Sequence, residues 1–125
     1  MSKIEFPEGQ GPELKVTGLC APSVHTAQKF DSGKPRLSKV PVEIINGIAE
    51  VLAFGAIKYD WDNWKKGMDH SRILDATLRH VYKYANGENK DDESGLNHLK
   101  HAATNLAFLL HYVEKGLGND DRAPN

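Results

Sequence analysis

Three stretches of the chain repeat apolar residues every three or four positions, and the segments between them keep no hydrophobic period at all. Up to about residue 40 neither a period of 2 nor one of 3.6 is sustained, and four of the six prolines fall there, so this part reads as an extended arm. KVTGLC (15–20) within it could form a short strand, although it has no visible partner. From Pro41, whose fixed φ suits a first helical turn, Ile44, Ile45, Ile48, Val51, Leu52 and Gly55 predict one face of a helix running to Tyr59. DWDNWKKGMDH (60–70) breaks that pattern, and a loop of such length inside a small domain is suspected of function. A second helix is predicted from a cap at Asp69 to Ser71 through Ala85, with Ile73, Leu74, Thr77, Leu78, Val81 and Tyr82 inward and Asn86-Gly87 as the stop. The acidic stretch ENKDDESG leads into a third helix over 96–116, whose stripe is Leu99, Ala102, Ala103, Leu106, Leu109, Leu110 and Val113.

Helices with one apolar face each must cover those faces with one another or with a second copy of the chain. The expected fold class is therefore all-α, a small helical bundle with an extended amino-terminal arm, completed by oligomerisation. The expected divisions are an arm (1–27), a helical domain (28–116) and a flexible tail (117–125).

Composition narrows the function classes without choosing one. A length of 125 residues suits one domain. Sixteen basic against seventeen acidic side chains give a formal net charge of -1, which argues against broad binding to nucleic acid or to an anionic membrane. The single cysteine, Cys20, can form no intramolecular disulfide, and the first residues lack the apolar core of a signal peptide. A soluble cytoplasmic protein is expected.

The segment GENKDDESGLNHLKHAATN (87–105) carries the richest chemistry. Glu88, Asp91, Asp92 and Glu93 crowd four carboxylates into six residues, and His98 and His101 follow at the i, i+3 spacing that puts both imidazoles on one side of a helix. Oxygen ligands suit Mg²⁺ or Mn²⁺, and imidazoles widen the choice to other divalent transition metals. The bland alternatives are a solvated loop that favours the helix amino terminus, and histidines satisfied by hydrogen bonds in the core. Asn105, one turn beyond His101, shares that face.

The predicted second helix offers Arg72, Asp75, Arg79 and His80, of which Arg79 and His80 cannot both face one side. An arginine there serves either as a phosphate clamp or as a structural ion-pair partner, and Asp75 with Arg79 has the i, i+4 spacing of a surface pair. Upstream, Gly33 stands beside Lys34 and Arg36, a pattern open to phosphate oxygens or to a plain charged turn. In KYDWDNWKKG, Tyr59, Trp61, Asn63, Trp64, Lys65 and Lys66 could stack on and read a purine base, while Trp64 could equally plug the core and Trp61 is expected to face solvent.

Taken in order, FDSGKPRL, FGAIKYDWDNWKKG and RHVYKYANGENKDDESGLNHLKHAATN resemble the phage dATP/dGTP diphosphohydrolase amino-terminal domain family, a MazG-like group, over roughly residues 28 to 112. The resemblance implies an all-helical enzyme that uses divalent metal to convert purine deoxynucleoside triphosphates to monophosphate and pyrophosphate. It further implies supply of dGMP for phage 2-aminoadenine nucleotide synthesis, or depletion of dATP. Carried over by position, it marks Glu88, Asp91, Glu93, His98 and His101 as ligands of Mg²⁺ or Mn²⁺, with Glu88, Asp91, His98 and His101 catalytic. It marks Lys34, Arg36, Lys58, Tyr59, Asn63, Trp64, Arg79, His80 and Asn105 as contacts to a purine dNTP. The sequence departs from the usual MazG pattern in having no clear ExxE pair, so imidazoles would share the metal shell with carboxylates. Two other readings stand beside this one. An HD-type nucleotide phosphohydrolase would build its site from similar residues, but no His-Asp dipeptide occurs. A non-catalytic helical module that binds a nucleotide or a protein is the other.

Overall fold

In a computed structural model of the protein, residues 26–124 are described, and the chain divides into two compact units, Met1–Lys39 and Val40–Asn125. The KVTGLC segment and Cys20 lie outside the described residues. Of the first unit, the described part holds a turn closed by the Lys34 amide on the Asp31 carbonyl at 3.1 Å and a single 3₁₀ turn, Leu37–Lys39. Lys34 and Arg36 belong to this unit.

The second unit is all-α. It comprises α1 (Val42–Lys58), α2 (His70–Ala85) and α3 (His98–Lys115), with a 3₁₀ turn at Asn63–Lys66. The helices predicted from periodicity fall within two residues of these bounds. The third helix starts at His98 rather than Leu96 because Asn97 caps it: the Asn97 side chain accepts from the Leu99 amide at 2.8 Å. Its end is a left-handed Gly116.

Helix α3 is the spine, packed on α2 and on α1. At the α1 crossing Gly47 is buried, and a Cβ built there would stand 3.0 Å from Lys100 Cγ, so the lysine stem lies over the glycine while its ammonium reaches Glu50 at 2.8 Å. The α2–α3 seam buries Ile73, Ala102, Tyr112 and the hydroxyls of Thr77 and Thr104, which donate back to the Ile73 and Lys100 carbonyls at 2.7 and 2.8 Å. Polar atoms can sit in this seam because each has a partner: no buried side-chain nitrogen or oxygen among the described residues lacks one.

Asp69 occupies the cap position of α2 but makes no side-chain cap bond. The cap comes from the far end of the chain. Asp121 accepts from the Ser71 amide at 2.9 Å and from its hydroxyl at 2.5 Å, and the Asn119 carbonyl accepts from the His70 amide at 2.9 Å. The segment read from the sequence as a flexible tail is thus tied to the start of α2 through Asn119 and Asp121. Two glycines permit the approach: a Cβ on Gly118, at φ +72, would meet the Met68 carbonyl at 2.5 Å, and one on Gly67, at φ +92, would meet the Gly118 amide at 2.9 Å. No helix among the described residues is long and apolar enough to cross a membrane.

Candidate functional site

The connection from α2 to α3 is a folded loop, not a solvated tether. Its backbone closes on itself through Asp91 to Leu96 at 2.8 Å, Gly95 to Asp91 at 2.8 Å and His98 to Asn89 at 3.0 Å. Asp91 accepts from the Ser94 amide at 2.9 Å and the Ser94 hydroxyl at 3.1 Å, the local turn that short polar side chains favour. The loop therefore presents its carboxylates in fixed positions.

His98 is fully buried and stands at the centre of the site. Its Nε2 lies 2.6 Å from Glu88 Oε2, and because a carboxylate only accepts, the imidazole donates there. That fixes the tautomer and leaves Nδ1 as a lone pair, which is 2.8 Å from His80 Nδ1 on α2. His80 in turn stacks on His101, with ring centroids 4.6 Å apart and planes within 7°. Ser94 Oγ spends its one proton on Asp91, so His101 Nε2, 2.6 Å away, is the donor of that pair. Asp91 also lies 3.9 Å from His101 Nε2.

His80, Asp91 and His98 can each offer one ligand atom, all within 4.8 Å of one another, and the three residues are buried or half-buried. These donors fit a divalent cation. Glu88 on the outer nitrogen of His98 completes the carboxylate–histidine arrangement that orients an imidazole ligand. Glu93 forms an ion pair with Lys58 at the carboxy end of α1. Glu88, Asp91, His98 and His101 are thus brought together, whereas Glu93 is engaged at the rim. His80, assigned from the sequence to the substrate, sits among the ligand atoms. Ser94 was missed altogether, although its place three residues after an aspartate in a glycine-flanked loop is the signal of a side-chain-closed turn.

His80, Asp91 and His101 of the cluster line a cavity of about 410 Å³ between α1, α2, α3 and the 60–70 loop, with Lys58, Tyr59, Trp61, Asn63, Trp64 and Asn105, while His98 lies buried behind them. Tyr59 and Trp61 are exposed. Trp64 stacks on Phe108 at 4.5 Å and packs against His111 and Tyr112, so it fastens the loop to α3. Arg79 lines a neighbouring cavity rather than this one.

Burial, and then the neighbouring imidazoles of His101 and His98, hold the His80 pKa down to about 4 from the ordinary 6.5. Burial likewise lowers His101, against the pull of Asp91. For Asp91 burial raises the pKa, but the Ser94 amide and hydroxyl outweigh it and the carboxyl stays below the ordinary value.

A helical unit with an imidazole–carboxylate cluster in the wall of an aromatic-rimmed cleft defines the class. The profile described as dATP/dGTP diphosphohydrolase, N-terminal, matches residues 24–122, and the chain belongs to that family. It is 40% identical over 97 residues to a dATP/dGTP diphosphohydrolase of Salmonella phage PMBT28, an alignment covering 78% of this chain and 33% of the relative. The chain spans about a third of that relative's length. No solved structure matches it.

Replacing Glu88 by Gln keeps the shape of the outer partner and removes its charge, so the affinity for Mn²⁺ measured by calorimetry should fall about 10- to 100-fold. Unchanged affinity in a folded variant would remove Glu88 from the site. The pH dependence of stability has a definite sign. A depressed His80 means that the unfolded chain takes the proton first, so its contribution is complete above about 6.5 and is lost as pH falls toward about 4. The thermal midpoint of chelator-treated protein should therefore drop between pH 7 and pH 4.5, roughly this window. Asp91, held below its ordinary 3.8, contributes in full above that value and changes its contribution only below it, outside that interval. A flat midpoint there would contradict a neutral imidazole cluster.

Proposed function

We propose that this chain hydrolyses purine deoxynucleoside triphosphates, dGTP or dATP, to the monophosphate and pyrophosphate, with Mg²⁺ or Mn²⁺ as the resident cation. The observation that carries this is that His80 and Asp91, two of the three potential ligands, line a cleft of nucleotide size together with His101, while the third, His98, is buried behind them. The phage relative's name supports the substrate class. The imidazole-rich donor set favours Mn²⁺ over Mg²⁺. When bound, the cation would offset charge on the phosphate oxygens and lower the pKa of an attacking water.

The protein's own groups supply the rest. His80, Asp91 and His98 hold the cation, Glu88 keeps His98 in the ligating tautomer, and Ser94 aligns Asp91 with His101. Lys58, paired with Glu93 at the rim, offsets phosphate charge, and Asn63, Tyr59 and Asn105 bound the space for the nucleotide. The overall change adds one water across the α–β phosphoanhydride. In a phage, the product dGMP would feed the synthesis of 2-aminoadenine nucleotides, or dATP would be depleted.

Incubation with each canonical dNTP and Mn²⁺ or Mg²⁺, with chromatography of the products, tests this directly. Pyrophosphate with dGMP or dAMP is the expected result; phosphate or triphosphate would favour the HD-type alternative, and no turnover would overturn the enzyme. His101→Ala, if folded by circular dichroism, should lose at least about 100-fold in pyrophosphate release, the scale of one lost transition-state contact.

We also propose a homo-oligomer. Ile44, Ile45, Leu106, Leu110 and Val113 are exposed on the helices expected to bury them, the last two at 62% and 67%. Apolar side chains left exposed on these faces among the described residues support an interface. Light scattering after size exclusion should give a dimer or larger, and Leu110→Glu with Val113→Glu should shift it toward monomer. A wild-type monomer would overturn the assignment.

A further inference from the structure

We propose that a second cavity, between α2 and α3, is the base subsite and that Asp75 selects guanine. This rests on the reading of the chain as a purine dNTP hydrolase and adds which purine it takes and where.

The cavity holds about 350 Å³ and adjoins the cleft of the histidine cluster, with which it shares Met68, Ala76, Asn105 and Phe108 as walls. Its α2 wall is one stripe of the helix. Arg72, Asp75, Ala76 and Arg79 are spaced i, i+3, i+4 and i+7, so they stack on a single face. Ala76 provides the depression, since any longer side chain at that point would fill it. Phe108 supplies an aromatic surface opposite, from α3.

Three charged side chains surround this space, yet none of Arg72, Asp75 or Arg79 has a side-chain ion pair or hydrogen bond among the described residues. Asp75 and Arg79 have the spacing of a helix-surface pair and do not make it. Two cations flanking an unpaired acceptor beside an apolar wall are complementary to a flat ring with both donors and acceptors on its edge.

Guanine has that edge. Its N1–H and N2–H₂ are adjacent donors for one carboxylate, and O6 and N7 are acceptors matched to a guanidinium. Adenine would set the N1 lone pair against the carboxylate, and a phosphate would meet the Asp75 charge directly. Asp75 therefore takes the guanine N1 and N2 hydrogens, and Arg72, at the end of the stripe away from the cluster, takes O6 and N7. Arg79 closes the other end of the stripe, on the base cavity and not on the cleft that His80 lines. One helical turn, about 6 Å of rise, separates Ala76 from His80, a gap that the deoxyribose bridges.

The experiment compares wild type with Asp75→Asn, which folds alike because Asp75 is on the surface of α2. Steady-state rates are taken with dGTP, dATP and deoxyinosine triphosphate, which lacks the 2-amino group. Thermal shifts with dGMP and dAMP give a readout that needs no turnover. Wild type should prefer dGTP, and Asp75→Asn should raise KM for dGTP about 10- to 100-fold with kcat largely held, the scale of one bidentate base contact. Its preference over dATP should collapse, and deoxyinosine triphosphate should fall between the two purines for wild type. Hydrolysis of dGTP by Asp75→Asn with unaltered KM, or a wild type that prefers dATP, overturns the guanine subsite while the hydrolase stands. A wild type that neither turns over any dNTP nor is stabilised by dGMP overturns both.

Discussion

The buried imidazole of His98 is the joint on which the site depends. It is the first residue of α3, its amide is held by the Asn89 carbonyl of the loop, and its two ring nitrogens face Glu88 and His80. One side chain thus connects the loop, the third helix and the second helix. A fully buried imidazole with both nitrogens occupied is costly to disturb, because any partner removed leaves a polar atom in a dry position. That cost keeps the cluster in one geometry, the pre-organisation that a set of side chains acting together needs.

The neighbouring polar atoms follow the same logic. Burial alone would make His80, His101 and Asp91 unfavourable, and Ser94 is what makes them compatible. It donates to Asp91, accepts from His101 and from the Leu96 amide, and so converts an acidic loop into a closed network. The imidazoles stay neutral beside one another because desolvation and mutual repulsion both oppose their protonation. Neutral imidazoles with defined lone pairs are the state in which they can ligate.

Periodicity exposed the three helices because an amphipathic stripe writes its period into the sequence, and the small residues Gly47 and Ala102 fall where the helices approach. The residues of the site were legible as types: Glu88, Asp91, His98 and His101 stand close together along the chain, and a loop-to-helix junction brings them close in space. His80 was legible as a substrate contact but not as a neighbour of His98, since that depends on how α2 docks on α3, eighteen positions away. The cap of α2 was equally hidden. Asp69 has the right residue type in the right position, but the bond to Ser71 comes from Asp121, fifty residues after that serine, through a segment with no period to announce it. Long-range contacts made by single polar side chains leave no local signature.

The apolar faces show the limit of the same signal in another way. Periodicity identifies which residues are to be covered and says nothing of what covers them. In α3, Ala102 and Tyr112 face α2 inside the unit, whereas Leu106, Leu110 and Val113 on the same helix remain at the surface. One helix therefore carries two apolar faces, and the three helices among the described residues close only one. The imidazole–carboxylate cluster lies on the closed side, next to the α2–α3 seam, so its geometry does not wait on the second face. An assembly formed through the open face would stiffen α3 along its length and hold His98, His101 and Asn105 in register from behind, without placing any partner side chain in the cleft.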